Sequence, residues 1–172
     1  MMAISLWQPW ATLIADHRKP HETRSFAPPQ RLMGRDIAIH AAKHMDLDTR
    51  LLAKQWGYDP GTLPHGAIVA VVRLSSCMRT ELFSSPPYDA EYGDFTPGRW
   101  AWRLEYIRKI RRPIACVGHQ GFFPVPELVE RQIVDVVPVE GWSITREVDK
   151  SKLQVGDRLS ESELRSLMRA PK

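Results

Sequence analysis

The spacing of hydrophobic residues predicts short strands separated by short helices. Residues 35–41 alternate between the two faces of a strand, with Ile39 on one face and His40 on the other. Residues 67–72 form a continuous apolar run rich in β-branched side chains, which predicts a strand buried on both faces. Residues 100–107 alternate again, and the pattern places four large side chains on one face, Trp100, Trp102, Leu104 and Tyr106.

Local signals predict the other elements. Gln8-Pro9 predicts the start of a helix, because proline is well tolerated at the first helical position. Further strands are predicted at 3–7, 21–26 and 114–117, and helices after Asp46 or Asp48, at 126–131 and after the capping box Ser160-x-x-Glu163. Residues 84–98 are predicted to form a long surface loop. About five strands with two or three inserted helices indicate an α+β domain around a small, curved mixed sheet or barrel.

The composition is that of an ordinary folded protein. The chain has 172 residues, 43% of them hydrophobic and 26% charged, which predicts one domain and excludes general disorder. No apolar run approaches the roughly 18 residues of a membrane span, and the N-terminus lacks the pattern of a signal peptide. Cys77 and Cys116 show no CxxC spacing. We therefore expect a cytoplasmic protein without a membrane segment, disulfide framework, metal or cofactor.

The charge balance is basic, with 24 Lys and Arg residues against 20 Asp and Glu residues and a pI near 9.3. Six basic residues lie between Arg99 and Arg112, interleaved with Trp100, Trp102 and Tyr106. Cations neutralise phosphates and aromatic faces stack on bases, so this mixture is typical of a surface for single-stranded nucleic acid. The alternative is an edge strand with a solvated charged face and an aromatic core face.

A second polar cluster follows the first predicted helix. Lys19, Glu22 and Arg24 place one carboxylate between two cations. Such a set can hold a polar ligand, because arginine offers a planar fork of donors, lysine a point charge and glutamate an acceptor. The carboxylate can also accept from the exocyclic amine of a cytosine or adenine. The alternative is a cluster of surface salt bridges with little energetic weight.

Polar residues also stand at the end of the strand predicted at 35–41. His40 and Lys43 belong to this group, and His40 faces either a groove or, as a structural histidine, partners inside the protein. His17 and His21 lie in the neighbouring polar segment. No HExxH or CxxC pattern accompanies these histidines, so no metal site is predicted.

Six short segments follow one another between residues 3 and 131. They are residues 4–11 (ISLWQPWA), the set Lys19-x-x-Glu22-x-Arg24, residues 39–43 (IHAAK), residues 63–69, residues 93–102 and the turn Gly118-x-Gln120-Gly121-Phe122. Their content and order resemble the ASCH domain of the PUA-like superfamily. The family pattern has a glycine two residues before the lysine, and His17 stands at that position here.

This resemblance implies a PUA-like small mixed β-barrel with inserted helices. It also implies a cleft between the first helix and the barrel, lined by Lys19, Glu22 and Arg24, and binding of RNA or modified nucleosides. Some similar small proteins remove an acyl group from the N4 amine of cytidine with a lysine, a threonine and a glutamate, and a ribonuclease activity is also ascribed to the group. Here Lys19 matches the lysine, whereas Glu22 occupies the threonine position.

We therefore predict an ASCH domain over residues 1–132 and a C-terminal extension over residues 133–172 that packs on the barrel. The predicted function is binding of RNA or single-stranded nucleic acid, with recognition of a modified base in the cleft. The alternative is a hydrolase similar to N4-acetylcytidine amidohydrolases, or a ribonuclease, with Lys19 and Glu22 as catalytic residues. The expected binding residues are Trp7, Gln8, Trp10, Lys19, Glu22, Arg24, His40, Lys43, Arg99, Trp100 and Gln120.

The binding residues have different expected roles. Trp7 or Trp10 stacks on a base, and Glu22 and Gln8 contact its edge. The phosphates are held by four cations, Lys19, Arg24, Lys43 and Arg99.

Overall fold

One mixed β-sheet organises the computed structural model of the chain, which describes residues 1–134 and 136–138. The strands of this part are β1 (Met2–Leu6), β2 (His21–Arg24), β3 (Asp36–Ala41), β4 (Ala67–Arg79), β5 (Trp100–Ala115), β6 (Phe122–Pro124) and β7 (Val136–Pro138). They are hydrogen-bonded in the order β2–β5–β4–β3–β1–β6, and β7 also pairs with β5. The β1–β3 pair is parallel, and the other pairs are antiparallel.

The helices are short and lie between the strands. Those of the described residues are α1 (Trp10–Ala15), α2 (Leu47–Gln55) and α3 (Glu127–Glu130), with 3-10 helices at Gln30–Leu32, Thr80–Leu82 and Ala90–Tyr92. Pro9 caps α1 instead of occupying its first turn, so the predicted start is corrected to Trp10. Asp46, not Asp48, caps α2, because its carboxylate accepts from the backbone N–H of Thr49 at 2.9 Å.

The sheet curls into a half-barrel, which confirms the predicted α+β class. Residues 11–15 of α1 are all buried, and α1 packs against β1, β3, β4 and β5. The main hydrophobic core joins this helix to side chains of the sheet, among them Ile4, Ile39, Leu74 and Trp102. Burial of this apolar surface is the main force that holds α1 in place, because so short a helix is not stable by itself.

β5 differs from the prediction in its length. The pattern of apolar residues predicts separate strands at 100–107 and 114–117, but one strand runs from Trp100 to Ala115. Its register with β4 moves from Ala70–Lys109 to Ile68–Ile114, so the extra residues form a bulge. Pro113 lies in this bulge, where its missing N–H removes no ladder bond. β5 lies between β2 and β4, so it is not the edge strand considered above.

A second irregularity of β5 turns Tyr106 to the solvent. Its φ of 46° breaks the alternation, and the residue is 69% exposed although the pattern places it beside Leu104. The register with β4 shifts at the same point, and Ile107 is buried instead. The predicted face of Tyr106 is therefore wrong, because a bulge reverses the side on which the following residues lie.

The segment 84–98 is not only a surface loop. It contains the 3-10 helix Ala90–Tyr92, and Asp89 has no exposed surface. The carboxylate of Asp89 accepts from the backbone N–H of His21 and pairs with its ring Nδ1, both at 2.9 Å. These bonds attach the segment to β2.

The helix predicted after Ser160-x-x-Glu163 lies outside the described residues, as does most of the predicted extension 133–172. The boundary between residues 132 and 133 stays a prediction. No helix in the described part of the chain is long and apolar enough to cross a membrane.

Candidate nucleic-acid interface

A broad cavity of about 1280 Å³ opens where β1 and β3 end. These strands are parallel neighbours, with Ser5 opposite His40, so their C-terminal ends lie at the same edge of the sheet. Residues 42–44 continue from β3 and form one wall of the cavity, and the end of β2 forms another. Residues 115–121, at the end of β5 and in the loop after it, complete the lining.

Most of the residues predicted to bind nucleic acid line this cavity. They come from five separate parts of the sequence and are Trp7, Trp10, Glu22, Arg24, His40, Lys43, Arg99 and Gln120. Trp7 is 47% exposed and meets the ring of His44 edge to face at 5.5 Å between centroids. An exposed tryptophan at a cavity can stack on a flat ligand without first leaving the core.

Lys19 does not line the cavity, although the resemblance implies that it does. It is only 1% exposed. Its Nζ donates to Oε2 of Glu22 at 2.9 Å and also to the backbone carbonyl of His21. These two acceptors hold the ammonium in the interior, so Lys19 supports Glu22 from the protein side and does not reach a phosphate.

Gln8 and Trp100 also lie outside the cavity lining. Gln8 is fully buried, where its Nε2 donates to the carbonyl of Pro64 at 2.7 Å and its Oε1 accepts from the backbone N–H of Thr12 at 3.1 Å. Trp100 packs against the main core, and the guanidinium of Arg79 lies 5.0 Å from its ring centroid. Both side chains therefore have structural partners in place of the predicted ligand.

Glu22 and Arg24 are neighbours on the same face of β2, because side chains two positions apart in a strand point the same way. Oε1 of Glu22 lies 2.8 Å from Nε of Arg24, while Oε2 is bonded to Lys19. Nη2 of Arg24 also donates to the carbonyl of Ser5 at 3.4 Å, which connects β2 to β1. The result is a carboxylate between two cations, as the sequence predicts, at the wall of the cavity.

His40 is held in one tautomer by its two partners. Its Nε2 lies 3.0 Å from the carbonyl oxygen of Cys116, which only accepts, so Nε2 carries the proton. Nδ1 then accepts from the hydroxyl of Ser5 at 3.0 Å. Burial lowers the pKa of His40, a shift that the bond to Cys116 opposes and nearby His119 reinforces. The ring is therefore neutral at pH 7.

The loop after β5 passes close to this pair. A Cβ added at Gly118 would stand 2.2 Å from Cε1 of His40 and 2.9 Å from Oγ of Ser5. No side chain fits there without displacing the histidine, so a glycine at position 118 lets the backbone approach.

Sequence reasoning missed several residues of the cavity. Ser5 and three further histidines, His44, His65 and His119, line it together with His40. The histidines singled out beside the polar cluster, His17 and His21, do not. His44 directly follows the IHAAK segment and His119 lies in the GHQG turn, so these two segments already place a histidine beside residues expected at the site.

The basic stretch of β5 is mostly engaged elsewhere. Arg108 pairs with Asp36, and Nζ of Lys109 lies 2.6 Å from Asp16. Trp102 is fully buried in the core. Arg99 is the residue of this stretch that lines the cavity, and its Nε lies 3.2 Å from Oδ2 of Asp94.

The lining is rich in groups that attract anions. Arg24, Lys43 and Arg99 supply cations, and Glu22 is the one carboxylate among the described lining residues. Among the described residues, no cluster of three or more His, Cys, Asp or Glu side chains could hold a metal ion. The site therefore offers charge, hydrogen bonds and aromatic surface.

Comparison with known families agrees with the segments identified in the sequence. The family model described as "ASCH domain" matches residues 4–114, about two thirds of the chain. The chain belongs to the ASCH domain family. ASCH domains are generally RNA-binding modules with a PUA-like fold.

Solved structures similar to this chain include an ASCH protein from Zymomonas mobilis. The ASCH protein of that organism is 19% identical and matches over 77% of this chain and 92% of its own, with a TM-score of 0.47. Two of its single-site mutants are 17% and 18% identical, cover 77% of this chain and 95% and 93% of their own, and have the same TM-score. No curated protein matches the chain.

The ASCH pattern explains the local geometry before Lys19. His17 stands where the family has glycine, and its φ is 60°, in the left-handed region that glycine adopts easily. Histidine is among the residues that adopt this conformation more often than most. In the turn before Lys19, residue 17 therefore keeps the backbone conformation that a glycine at this position favours.

Proposed function

We propose that this ASCH domain binds RNA or other single-stranded nucleic acid and holds one base, including a modified one, in the cavity. The observation that carries the proposal is the combination of three cations and an exposed tryptophan around one concave site. Arg24, Lys43 and Arg99 can neutralise phosphates, and Trp7 can stack on a base. Glu22 supplies an acceptor for the base edge.

The size of the cavity favours a chain segment over a small molecule. Its volume of about 1280 Å³ exceeds the roughly 300–1,000 Å³ of typical ligand pockets. Single-stranded nucleic acid is bound where a positively charged groove follows the backbone and aromatic side chains stack on the bases. A base with its flanking phosphates fits this description better than a free nucleoside.

The alternative, hydrolysis of an N4-acylated cytidine or of RNA, uses Lys19 as base and Glu22 as its relay. The observed contacts do not favour it, because Nζ of Lys19 donates to Glu22 and to the carbonyl of His21 beneath the cavity wall. A base must reach the group from which it takes a proton. We expect N4-acetylcytidine to remain intact in a small-molecule assay, and turnover abolished by Lys19→Ala would favour the hydrolase.

The binding proposal is tested by fluorescence anisotropy with a labelled single-stranded RNA. Trp7→Ala is expected to weaken binding by about 1–3 kcal/mol, the usual contribution of a base stacked on an aromatic side chain. Tyr106→Ala is the matched control, since Tyr106 is 69% exposed on β5 and outside the cavity. Equal losses in both variants would contradict the proposed site, as would loss in Tyr106→Ala alone.

A further inference from the structure

The wall of the cavity at Glu22 presents a specific arrangement of hydrogen-bond acceptors. Each carboxylate oxygen already has one cationic partner, Lys19 on Oε2 at 2.9 Å and Arg24 on Oε1 at 2.8 Å. A carboxylate offers about four lone-pair positions, two on each oxygen. At least one acceptor position therefore remains on each oxygen of a side chain that lines the cavity.

Arg24 adds donors directly beside these acceptors. Its guanidinium has about five N–H donors in a fixed plane. Nε lies 2.8 Å from Oε1 of Glu22 but does not make a hydrogen bond to it, and Nη2 donates to the carbonyl of Ser5 at the long distance of 3.4 Å. The remaining N–H groups belong to a side chain that also lines the cavity. The wall thus offers two adjacent acceptors and, next to them, a donor.

We propose that this wall selects guanine, an inference that rests on the proposed function. The Watson–Crick edge of guanine has two adjacent donors, N1–H and the N2 amine, beside one acceptor, O6. N1–H and N2–H would donate to the two oxygens of Glu22, and O6 would accept from Arg24. Bases in single strands expose this edge for such contacts.

The other bases fit this wall less well. Cytosine and adenine each have one amine on this edge beside ring acceptors, and uracil has one N–H between two carbonyls. Each would leave the remaining acceptor position of one Glu22 oxygen unfilled, and so would make one charge-assisted hydrogen bond fewer than guanine makes. A bidentate contact of this kind usually separates the correct base from a wrong one by roughly 5- to 150-fold.

The test uses the full chain and short RNAs that differ at one central position. Oligoadenylate with a central guanosine, adenosine, cytidine, uridine or inosine is titrated by fluorescence anisotropy. Inosine is the sharpest probe, because it keeps N1–H and O6 of guanine and lacks only the N2 amine. We expect guanosine to bind at least about fivefold more tightly than inosine and than each of the other three bases.

Variants connect this preference to Glu22. Glu22→Gln alone would leave Lys19 buried without its counter-ion, so the test uses the double variant Lys19→Met/Glu22→Gln, which removes both charges. It is expected to lose the guanosine preference. Lys19→Met alone keeps Glu22 beside Arg24 and is expected to retain it.

The outcomes separate the two proposals. A guanosine preference that is lost with inosine and in the double variant supports the inference. Equal binding of all five RNAs, a preference for another base, or a preference that survives in the double variant overturns it and leaves the proposed function intact. Absence of binding to every RNA overturns the proposed function, and the inference with it.

Discussion

The two ion pairs of Glu22, with Lys19 and with Arg24, contribute differently to the stability of the protein. Lys19 is almost completely buried, whereas the side chain of Arg24 is 30% exposed. Removal of one partner from a buried ion pair leaves the other charge in the interior without compensation. A solvent-accessible pair contributes much less, because water screens it.

This difference predicts the stability of two variants. Glu22→Gln is expected to lower the free energy of unfolding by about 3 kcal/mol, because the ammonium of Lys19 loses its counter-ion. Arg24→Gln is the matched control and is expected to cost less than about 1 kcal/mol, because Glu22 keeps Lys19. Urea unfolding at pH 7 measures both. Similar losses in the two variants would show that Lys19 is not held mainly by Glu22.

The position of a side chain could be predicted from the sequence where it depends on the geometry of a single strand or helix. Glu22 and Arg24 share a face of β2 by strand geometry alone, so their proximity followed from spacing. The position of Lys19 did not follow from spacing, because a long flexible side chain is directed by the acceptors that surround it. Those acceptors are Glu22 and the carbonyl of His21 in the folded protein.

At the scale of elements, the loop after β5 packs tightly against side chains that line the cavity. Its backbone at Gly118 approaches the ring of His40 so closely that an added Cβ would stand 2.2 Å from it. His40 cannot easily move away, since Ser5 and Cys116 hold both ring nitrogens.

Gly118→Ala is therefore expected to destabilise the protein by about 1–3 kcal/mol, the usual cost of forcing an extra group into a packed site. Gly61→Ala is the control, because the nearest atom to an added Cβ is the Asp59 side chain at an ordinary 3.4 Å. That variant should change stability by less than about 0.5 kcal/mol. Thermal unfolding of both proteins tests the expectation, and an unchanged Gly118→Ala protein would contradict the close approach.

The strands were predictable in type and less so in length. The apolar run from residue 67 predicted the buried part of β4, and the alternation from Trp100 predicted the start of β5. The bulges at Tyr106 and around Pro113 arise from the register between β4 and β5. Register depends on how two distant segments pair, so no local pattern along one segment contains it.

At the scale of the whole molecule, the partly buried His17 and the buried His40 predict how stability depends on pH. Burial lowers the pKa of each below the ordinary value of 6.5. Below about pH 6.5 the unfolded chain therefore takes up protons that the folded protein does not, and stability falls as the pH falls.

The expected slope is at most about 1.4 kcal/mol per pH unit for each of these histidines. Urea unfolding between pH 7.5 and 5.5 measures it. His40→Asn should make the slope shallower, because one of the two groups is removed, while His17 retains its share. A slope that is the same in the variant and in the parent protein would contradict the inferred neutral state of His40.

The cavity itself was only partly predictable from sequence. Segments resembling the ASCH domain pointed to Glu22, Arg24, His40, Lys43 and Arg99, and these residues line it. His44, His65 and His119 come from three segments that meet only because β1 and β3 are parallel neighbours and the end of β5 folds beside them. The order of the strands in the sheet brings these segments together, and the spacing of residues along the chain does not reveal that order.

The central claim is that the cavity binds nucleic acid through its cations, and the salt dependence of RNA binding tests it most directly. Release of counter-ions makes the logarithm of the binding constant fall linearly with the logarithm of salt concentration, with a slope of about −0.7 for each phosphate neutralised on a single strand. With Lys43 and Arg99 on phosphates and Arg24 on the edge of the base, the expected slope is about −1.4. Substitution of Lys43 and Arg99 by glutamine should reduce its magnitude. An affinity for single-stranded RNA that stays constant between 50 and 200 mM salt, the range in which such contacts weaken measurably, would contradict the account.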